Sequence, residues 1–342
     1  MKVIEVNAEK RYQVETGIDW SGRIAELTKG REFRVIAPSS LRDKLIEALP
    51  ESQMFFAPNG ESQKSFEYLE KVLEYLAQEK LTRDAVLVAI GGGATTDLVG
   101  FAASIYLRGI DWIAIPTSLA GMVDASIGGK TGINLAAGKN LAGTFYSPTN
   151  VLIDFNWLQD LPTRDINAGL AESVKCGFIA DTKILDLIEE NVAVNLSEII
   201  ERSVLVKAKV VSSDFRESGE REILNYGHTL GHAIEKDANY ELRHGEAISI
   251  GMVFAAALSV ELEGLSREVL DRHKEILRKL SLPLTYKKDA WDHLYSLMLN
   301  DKKRKSGEIR FVTLIKEGRC DRKSSPEGIL RNVYFKEIGL NL

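Results

Sequence analysis

At 342 residues the chain is long enough for two domains, each with a core of its own, and 44% apolar against 27% charged residues is the balance of an ordinary globular protein. Those figures exclude a disulfide-stapled miniprotein and an intrinsically disordered chain. Forty-four Lys and Arg against 49 Asp and Glu leave a net charge of −5, so no global positive field draws in a nucleic-acid backbone or an anionic membrane, and neither is expected as a partner.

The opening residues, Met1 to Val6, alternate charged and apolar side chains and lack the apolar core of a secretory signal. Short β-rich runs follow at Phe33–Ala37, Ala85–Ile90, Ile110–Ile115 and Val151–Asp154, and the spacing of Phe66, Leu69, Val72, Leu73 and Leu76 predicts an amphipathic helix over 63–78. Strand, helix, strand implies a parallel sheet, and we assign 1–160 to an α/β, Rossmann-like dinucleotide-binding domain. Beyond it the strand signals thin out. Helical patterns run over Ala168–Ile179, Lys183–Glu190, Leu196–Ser212, Gly245–Glu263 and Ser266–Leu280, with a late hairpin from Ile309 through Gly318, so 161–342 reads as a mainly α-helical metal- and substrate-binding domain. The apolar stretch Ile248–Leu262 contains Ser249, Gly251, Ser259 and Glu261, and reads as a buried helix instead of a bilayer span. Cys176 and Cys320 are the only cysteines, too few for a secreted scaffold, which points to the reducing cytoplasm.

Three regions carry chemistry. Gly91–Gly92–Gly93–Ala94–Thr95–Thr96–Asp97 joins a strand to a helix, where backbone N–H groups can approach a diphosphate; plain tight-turn glycines and a capping Asp97 are the structural alternative. Asp124, Lys130, Lys139 and Asn140 fall within seventeen positions, with paired glycines at 128 and 129, and suit a phosphate or a polyhydroxylated ligand better than a merely solvated loop. Three of the five histidines lie between 228 and 244: His228 and His232 are one helical turn apart, and His244 follows twelve residues later. They suggest a divalent-metal site completed by a carboxylate, and Glu172, Glu235 and Glu246 are the candidates that spacing leaves open. Lys175, Lys207, Arg221 and Asn225 would suit an anionic, oxygen-rich substrate. His273 and His293 sit in charged helical stretches and read as structural.

The runs GGGATTDLVGFAAS, YLRGIDWIAIPTSLAGMVDASIGGKTGIN, GKNLAGTF, GLAESVKCGFIAD, REILNYGHTLGHAIE and RHGEAISIGMV closely resemble the 3-dehydroquinate synthase family over roughly 60–315. The resemblance implies the conversion of 3-deoxy-D-arabino-heptulosonate 7-phosphate into 3-dehydroquinate and phosphate by a phosphorus–oxygen lyase of the shikimate pathway. It also implies catalytic NAD and one divalent metal, zinc or cobalt, in a homodimer. It puts the metal on Glu172, His228 and His244. NAD falls on Glu61, Lys64, Gly93, Ala94, Thr95, Thr96, Asp97, Thr117, Ser118, Asp124, Lys130 and Lys139. Substrate contacts fall on Asp124, Lys130, Asn140, Lys175, Lys207, Arg221, Asn225, His232 and Lys302 or Lys303, while Arg108 reaches the phosphate of a neighbouring subunit. Three positions depart from the family's usual pattern: Thr96 stands where glycine is common, Asp160 where threonine is frequent, and Ala37–Pro38 lacks an acidic residue. The rival activities are a sugar-phosphate cyclase using sedoheptulose 7-phosphate or glucose 6-phosphate, and a metal-dependent polyol dehydrogenase. A non-catalytic metal- or nucleotide-binding protein on the same scaffold is the alternative from another class.

Overall fold

A computed structural model of the chain describes residues 1–302 and 309–340. The chain divides into two compact units, Met1–Leu161 with Lys207–Arg216, and Pro162–Val206 with Glu217–Leu342.

The first unit is built on a seven-stranded sheet. In chain order its elements begin with β1 (Lys2–Asn7), β2 (Arg11–Thr16), α1 (Trp20–Leu27), β3 (Phe33–Pro38), α2 (Arg42–Ile46), β4 (Met54–Ala57) and α3 (Phe66–Gln78). They continue with β5 (Val86–Gly91), α4 (Gly93–Ile105), β6 (Asp111–Pro116), β7 (Lys130–Leu135), β8 (Gly138–Phe145) and β9 (Asn150–Ile153). The sheet runs β1-β2-β9-β6-β5-β3-β4, parallel except for the β1–β2 pair. All six residues of β5 are buried, as expected of a central parallel strand covered on both faces. From β3 the chain passes to β4 on one side and then to β5 on the other, so the strand order switches between β3 and β5. The carboxyl ends of strands at such a switch are where open α/β sheets bind ligands, and the glycine triplet leaves β5 there. β7 and β8 form a separate antiparallel hairpin.

The second unit contains α5 (Thr163–Ile179), most of α6 (Lys183–Ser213), α7 (His228–Asp237), α8 (His244–Glu263), α9 (Arg267–Lys279), β10 (Tyr286–Lys287) and α10 (Trp291–Lys302). The hairpin of β11 (Arg310–Lys316) and β12 (Arg319–Ser324) follows, then α11 (Glu327–Glu337) and β13 (Gly339–Leu340), which pairs with β10. α6 breaks at Asn191, whose backbone is extended and whose side chain accepts from the N–H groups of Ala193 and Val194, capping the second segment. Among the described residues α8 alone meets the length and apolarity of a membrane span, and 83% of that stretch is buried inside the protein. Its apolar residues are core: every residue from Gly245 to Ser259 is buried.

Candidate active site

The second unit brings three helices together through glycines. A Cβ at Gly245 would stand 1.8 Å from the Ala168 carbonyl oxygen, and one at Gly251 would stand 1.9 Å from that of Gly227. Only hydrogen at these positions lets α8 lie against α5 and against the start of α7. Ala168 is one turn before Glu172, Gly227 directly precedes His228, and His244 directly precedes Gly245, so the close crossings deliver one carboxylate and two imidazoles to one place.

Glu172 is 1% exposed on α5. Its Oε1 lies 3.6 Å from His228 Nε2 and 3.2 Å from His244 Nε2, and Lys175 one turn along forms an ion pair with the same carboxylate. Neither Glu172 oxygen receives a well-angled hydrogen bond. The His228 Nδ1 faces the Tyr226 carbonyl at 3.0 Å; a carbonyl can only accept, so Nδ1 carries the proton and Nε2 turns a lone pair toward the carboxylate. Two acceptors facing each other in a buried place repel unless a cation sits among them. His244 is held at both ends by carboxylates, Glu172 on Nε2 and Glu235 Oε2 on Nδ1 at 3.2 Å. Burial pushes the His244 pKa down, but the Glu172 and Glu235 carboxylates on its two ring nitrogens prevail and lift it to about 10. Burial and the nearby Lys175 hold His228 well below its ordinary value, hence neutral. Burial pushes the Glu172 carboxyl up, yet Lys175, His228 and His244 together hold it well below the usual range.

One carboxylate, a neutral imidazole with its second nitrogen anchored on a carbonyl, and another anchored on a carboxylate make a donor set that fits a divalent metal and its outer support. His232 is exposed and belongs to the same cluster: the ligand atoms of His228, His232 and His244 all lie within 4.8 Å of one another. Of the rival carboxylates, Glu246 is turned away, paired with both Nε and Nη2 of Arg164 at 2.6 and 2.8 Å and bonded to the Arg243 N–H. Glu235 stands behind His244. Its place was legible in principle, since it lies seven residues after His228 on one helix face.

Arg221, 2% exposed, and Asn225 lie in the short 3-10 stretch Glu220–Asn225 that leads into α7, and the Asn225 amide donates to Glu217 Oε1 at 2.8 Å. Glu217, at a positive φ of 58°, is a neighbour that no motif or spacing pointed to. His273 is structural: its ring stacks on Phe178 with centroids 3.3 Å apart, its Nδ1 donates to the Val269 carbonyl at 2.7 Å and its Nε2 accepts from the Tyr226 hydroxyl at 2.9 Å. His293 is exposed and pairs with Asp237 at 2.7 Å. Lys303 lies outside the described residues, and of Lys302 only its place at the end of α10 is described.

In the first unit the loop after β5 is packed from below. A Cβ on Gly91 would stand 2.3 Å from Thr95 Oγ1, and one on Gly92 3.3 Å from Ser118 Oγ, while the Thr117 N–H donates to the Gly91 carbonyl at 2.9 Å. α4 starts at Gly93 with no side-chain cap, so Asp97 is a residue of the helix and not its cap. Thr95 and Thr96 are buried, the latter bonded to the Gly93 carbonyl at 2.9 Å, so Thr96 does not stand between the loop and a ligand. What Gly93 and Ala94 offer is the free N–H end of a helix, suited to a diphosphate. Lys64, 3% exposed, joins Asp97 at 2.6 Å and also reaches the Asn140 side chain. Burial lifts the Asp97 carboxyl to about 6 against the opposing pull of Lys64. Glu61 accepts from Asn134 at 2.7 Å, and Asn134 in turn accepts from the Asn140 N–H at 2.9 Å. Asp124 sits in a π-turn, Gly121–Ala125, and pairs with Lys207, whose segment of α6 belongs to this unit. Lys130 and Asn140 are exposed, and Lys139 is half-buried. Arg108 is exposed in a turn where Leu107, Arg108 and Gly109 all have positive φ. Of the family departures, Asp160 pairs with Lys44 at 2.7 Å on the surface, and Ala37–Pro38 is the buried end of β3.

Models described as 3-dehydroquinate synthase N-terminal and 3-dehydroquinate synthase C-terminal match residues 54–168 and 169–304. A 3-dehydroquinate synthase of Arthrobacter sp. (strain FB24) is 44% identical, covering 99% of this chain and 98% of that protein; one of Streptomyces coelicolor is 46% identical, covering 96% and 95%. The 2-epi-5-epi-valiolone synthase of Streptomyces hygroscopicus, solved with NAD+ and Zn2+ bound, superposes with a TM-score of 0.86 at 27% identity, covering 96% of this chain and 97% of that one. A 2-deoxy-scyllo-inosose synthase shares the fold with a TM-score of 0.87 at 24% identity, covering 98% and 100%. The chain belongs to the 3-dehydroquinate synthase family.

Proposed function

We propose that the chain carries out its family's reaction as a phosphorus–oxygen lyase, converting 3-deoxy-D-arabino-heptulosonate 7-phosphate into 3-dehydroquinate and inorganic phosphate for aromatic amino acid biosynthesis. The observation that supports this best is the convergence of Glu172 with His228 and His244, whose Nε2 atoms lie 3.6 and 3.2 Å from its Oε1, a donor set suited to a divalent ion. When bound, NAD supplies a hydride acceptor that returns its hydride within the cycle, and a divalent ion, zinc or cobalt, lowers the pKa of substrate hydroxyls and polarises the ketone.

Glu172, His228 and His244 would hold the metal, with Lys175 keeping Glu172 ionised and Glu235 and the Tyr226 carbonyl fixing the two imidazoles. Gly93 to Asp97, Thr117, Ser118, Glu61, Lys64, Asp124, Lys130 and Lys139 would hold NAD, the helix N-terminus facing its diphosphate. Arg221 and Asn225 would pair with the substrate carboxylate, a fork and an amide suited to two oxygens. Lys130, Asn140, Lys175, Lys207 and His232 would bind the remaining oxygens, and the cations among them stabilise phosphate as it leaves. We assign Arg108 to the phosphate of a second subunit, which makes the working form a homodimer, and place the enzyme in the cytoplasm. The test is phosphate release from the heptulosonate phosphate, sedoheptulose 7-phosphate and glucose 6-phosphate, each with NAD and zinc. Release from the first alone is expected, and release only from sedoheptulose 7-phosphate overturns the reading.

A further inference from the structure

The short segment that carries Arg221 and Asn225 is bonded within itself, as from the Glu222 N–H to the Gly219 carbonyl at 3.0 Å, and is also held from outside. Six residues of 3-10 helix, Glu220–Asn225, exceed the usual length of that conformation, whose hydrogen bonds are poorly aligned. It begins at Gly219 without a side-chain cap and follows Glu217, which is in the left-handed region at φ 58°. Such a stretch takes its position from whatever grips it. The grip comes from the β11–β12 hairpin: Arg322 on β12 donates from Nη2 to the Gly219 carbonyl at 2.8 Å and to the Glu220 carbonyl at 3.2 Å. Its Nε lies 3.3 Å from the Glu222 carboxylate, which Arg310 on β11 also approaches at 3.4 Å. Two of these contacts read main chain, so they fix the path of the two peptide units that lead into Arg221 whatever side chains the segment bears. A third ties the same hairpin to α7, where the Thr229 hydroxyl donates to the Arg310 carbonyl at 3.2 Å.

We infer that Arg322 is a positioning residue for substrate specificity: it holds the Glu220–Asn225 segment so that Arg221 and Asn225 meet the substrate carboxylate in register. The inference rests on the proposed role of those two residues. A planar fork is needed to span two carbonyls and a carboxylate, and a lysine's single ammonium cannot reproduce it. The contacts of Arg322 described above go to Gly219, Glu220 and Glu222, none of which is assigned to the metal or to NAD.

The experiment compares R322A, R322K and R221K with the parent protein. It measures KM and kcat for the heptulosonate phosphate, together with zinc affinity by chelator competition and NAD affinity by fluorescence. For R322A, KM rises about tenfold, kcat changes less than twofold, and zinc and NAD affinities hold; R322K recovers part of the loss. A KM within twofold of the parent in R322A, while R221K raises it, overturns the inference and leaves the carboxylate reading standing. An unchanged KM in R221K overturns that reading itself, and the inference with it. Parallel loss of zinc affinity, kcat and KM in both R322 variants also overturns the inference, because the arginine would then support the whole unit and not this segment.

Discussion

Glu172 meets opposing demands. Burial favours its neutral form and Lys175 favours its charged one, and the balance lies with the charge. A buried carboxylate stays charged only beside cations, and the proposed metal would join Lys175 in that role. His228→Ala is expected to lose bound zinc and turnover together while far-UV circular dichroism stays that of the parent; full activity in a metal-free His228→Ala protein would contradict the assignment. His232→Ala distinguishes a ligand from a substrate contact: zinc measured by atomic absorption should remain near one per subunit while turnover falls at least tenfold, and zinc loss would make His232 a ligand. His273 sets a pH dependence of a different kind. Burial lowers its pKa to about 3, against the raising effect of Val269, so between an unfolded value near 6.5 and 3 the unfolded chain binds the extra proton. The stabilisation is therefore complete above about pH 6.5 and is lost as pH falls toward 3, by at most about 5 kcal/mol. Urea midpoints should drop less steeply from pH 6.5 to 4 in His273→Gln than in the parent, and equal slopes would remove His273 as the cause. Spacing alone singled these residues out without sorting them: it announced a metal but left Glu172, Glu235 and Glu246 alike, and only the resemblance to a family picked Glu172 before α5, α7 and α8 were seen packed.

Elements were legible where their pattern was buried. β5, β6, α3 and α8 stand within a few residues of their expected bounds because continuous apolar runs and a clear 3.6-residue period specify them. β1, β2, β7 and β8 went unread, the last because all eight of its residues are polar, small or exposed and its pairing comes from a hairpin partner. The break in α6 follows from one asparagine that caps the next segment, a role that no periodicity reveals. Helix crossings depend on glycines that composition alone cannot rank. Gly251→Ala, with its new Cβ 1.9 Å from the Gly227 oxygen, should cost roughly 2 kcal/mol or more in urea denaturation and weaken zinc binding by displacing His228. Gly328→Ala on α11, where nothing lies within 4 Å of the new Cβ, should be neutral or stabilise by up to about 1 kcal/mol. Equal destabilisation by the two would refute the packing argument.

At the scale of the molecule, texture alone separates a sheet-bearing first unit from a helical second one, but not the assignment of Lys207–Arg216 to the first, since a helix that continues unbroken from Asn191 gives no sign of it. That assignment brings Lys207 to Asp124, among the residues proposed for NAD and substrate. The residues of one unit would serve an oxidant and those of the other a metal, in a reaction whose net redox change is zero. The direct test supplies the purified protein with zinc, excess heptulosonate phosphate and NAD at one equivalent per subunit, and follows phosphate, dehydroquinate and absorbance at 340 nm (the NADH band) together. Phosphate and dehydroquinate should appear one to one over many turnovers per NAD with no lasting rise in NADH. Product formation that stops after one turnover per NAD, with NADH accumulating in step, would contradict the account.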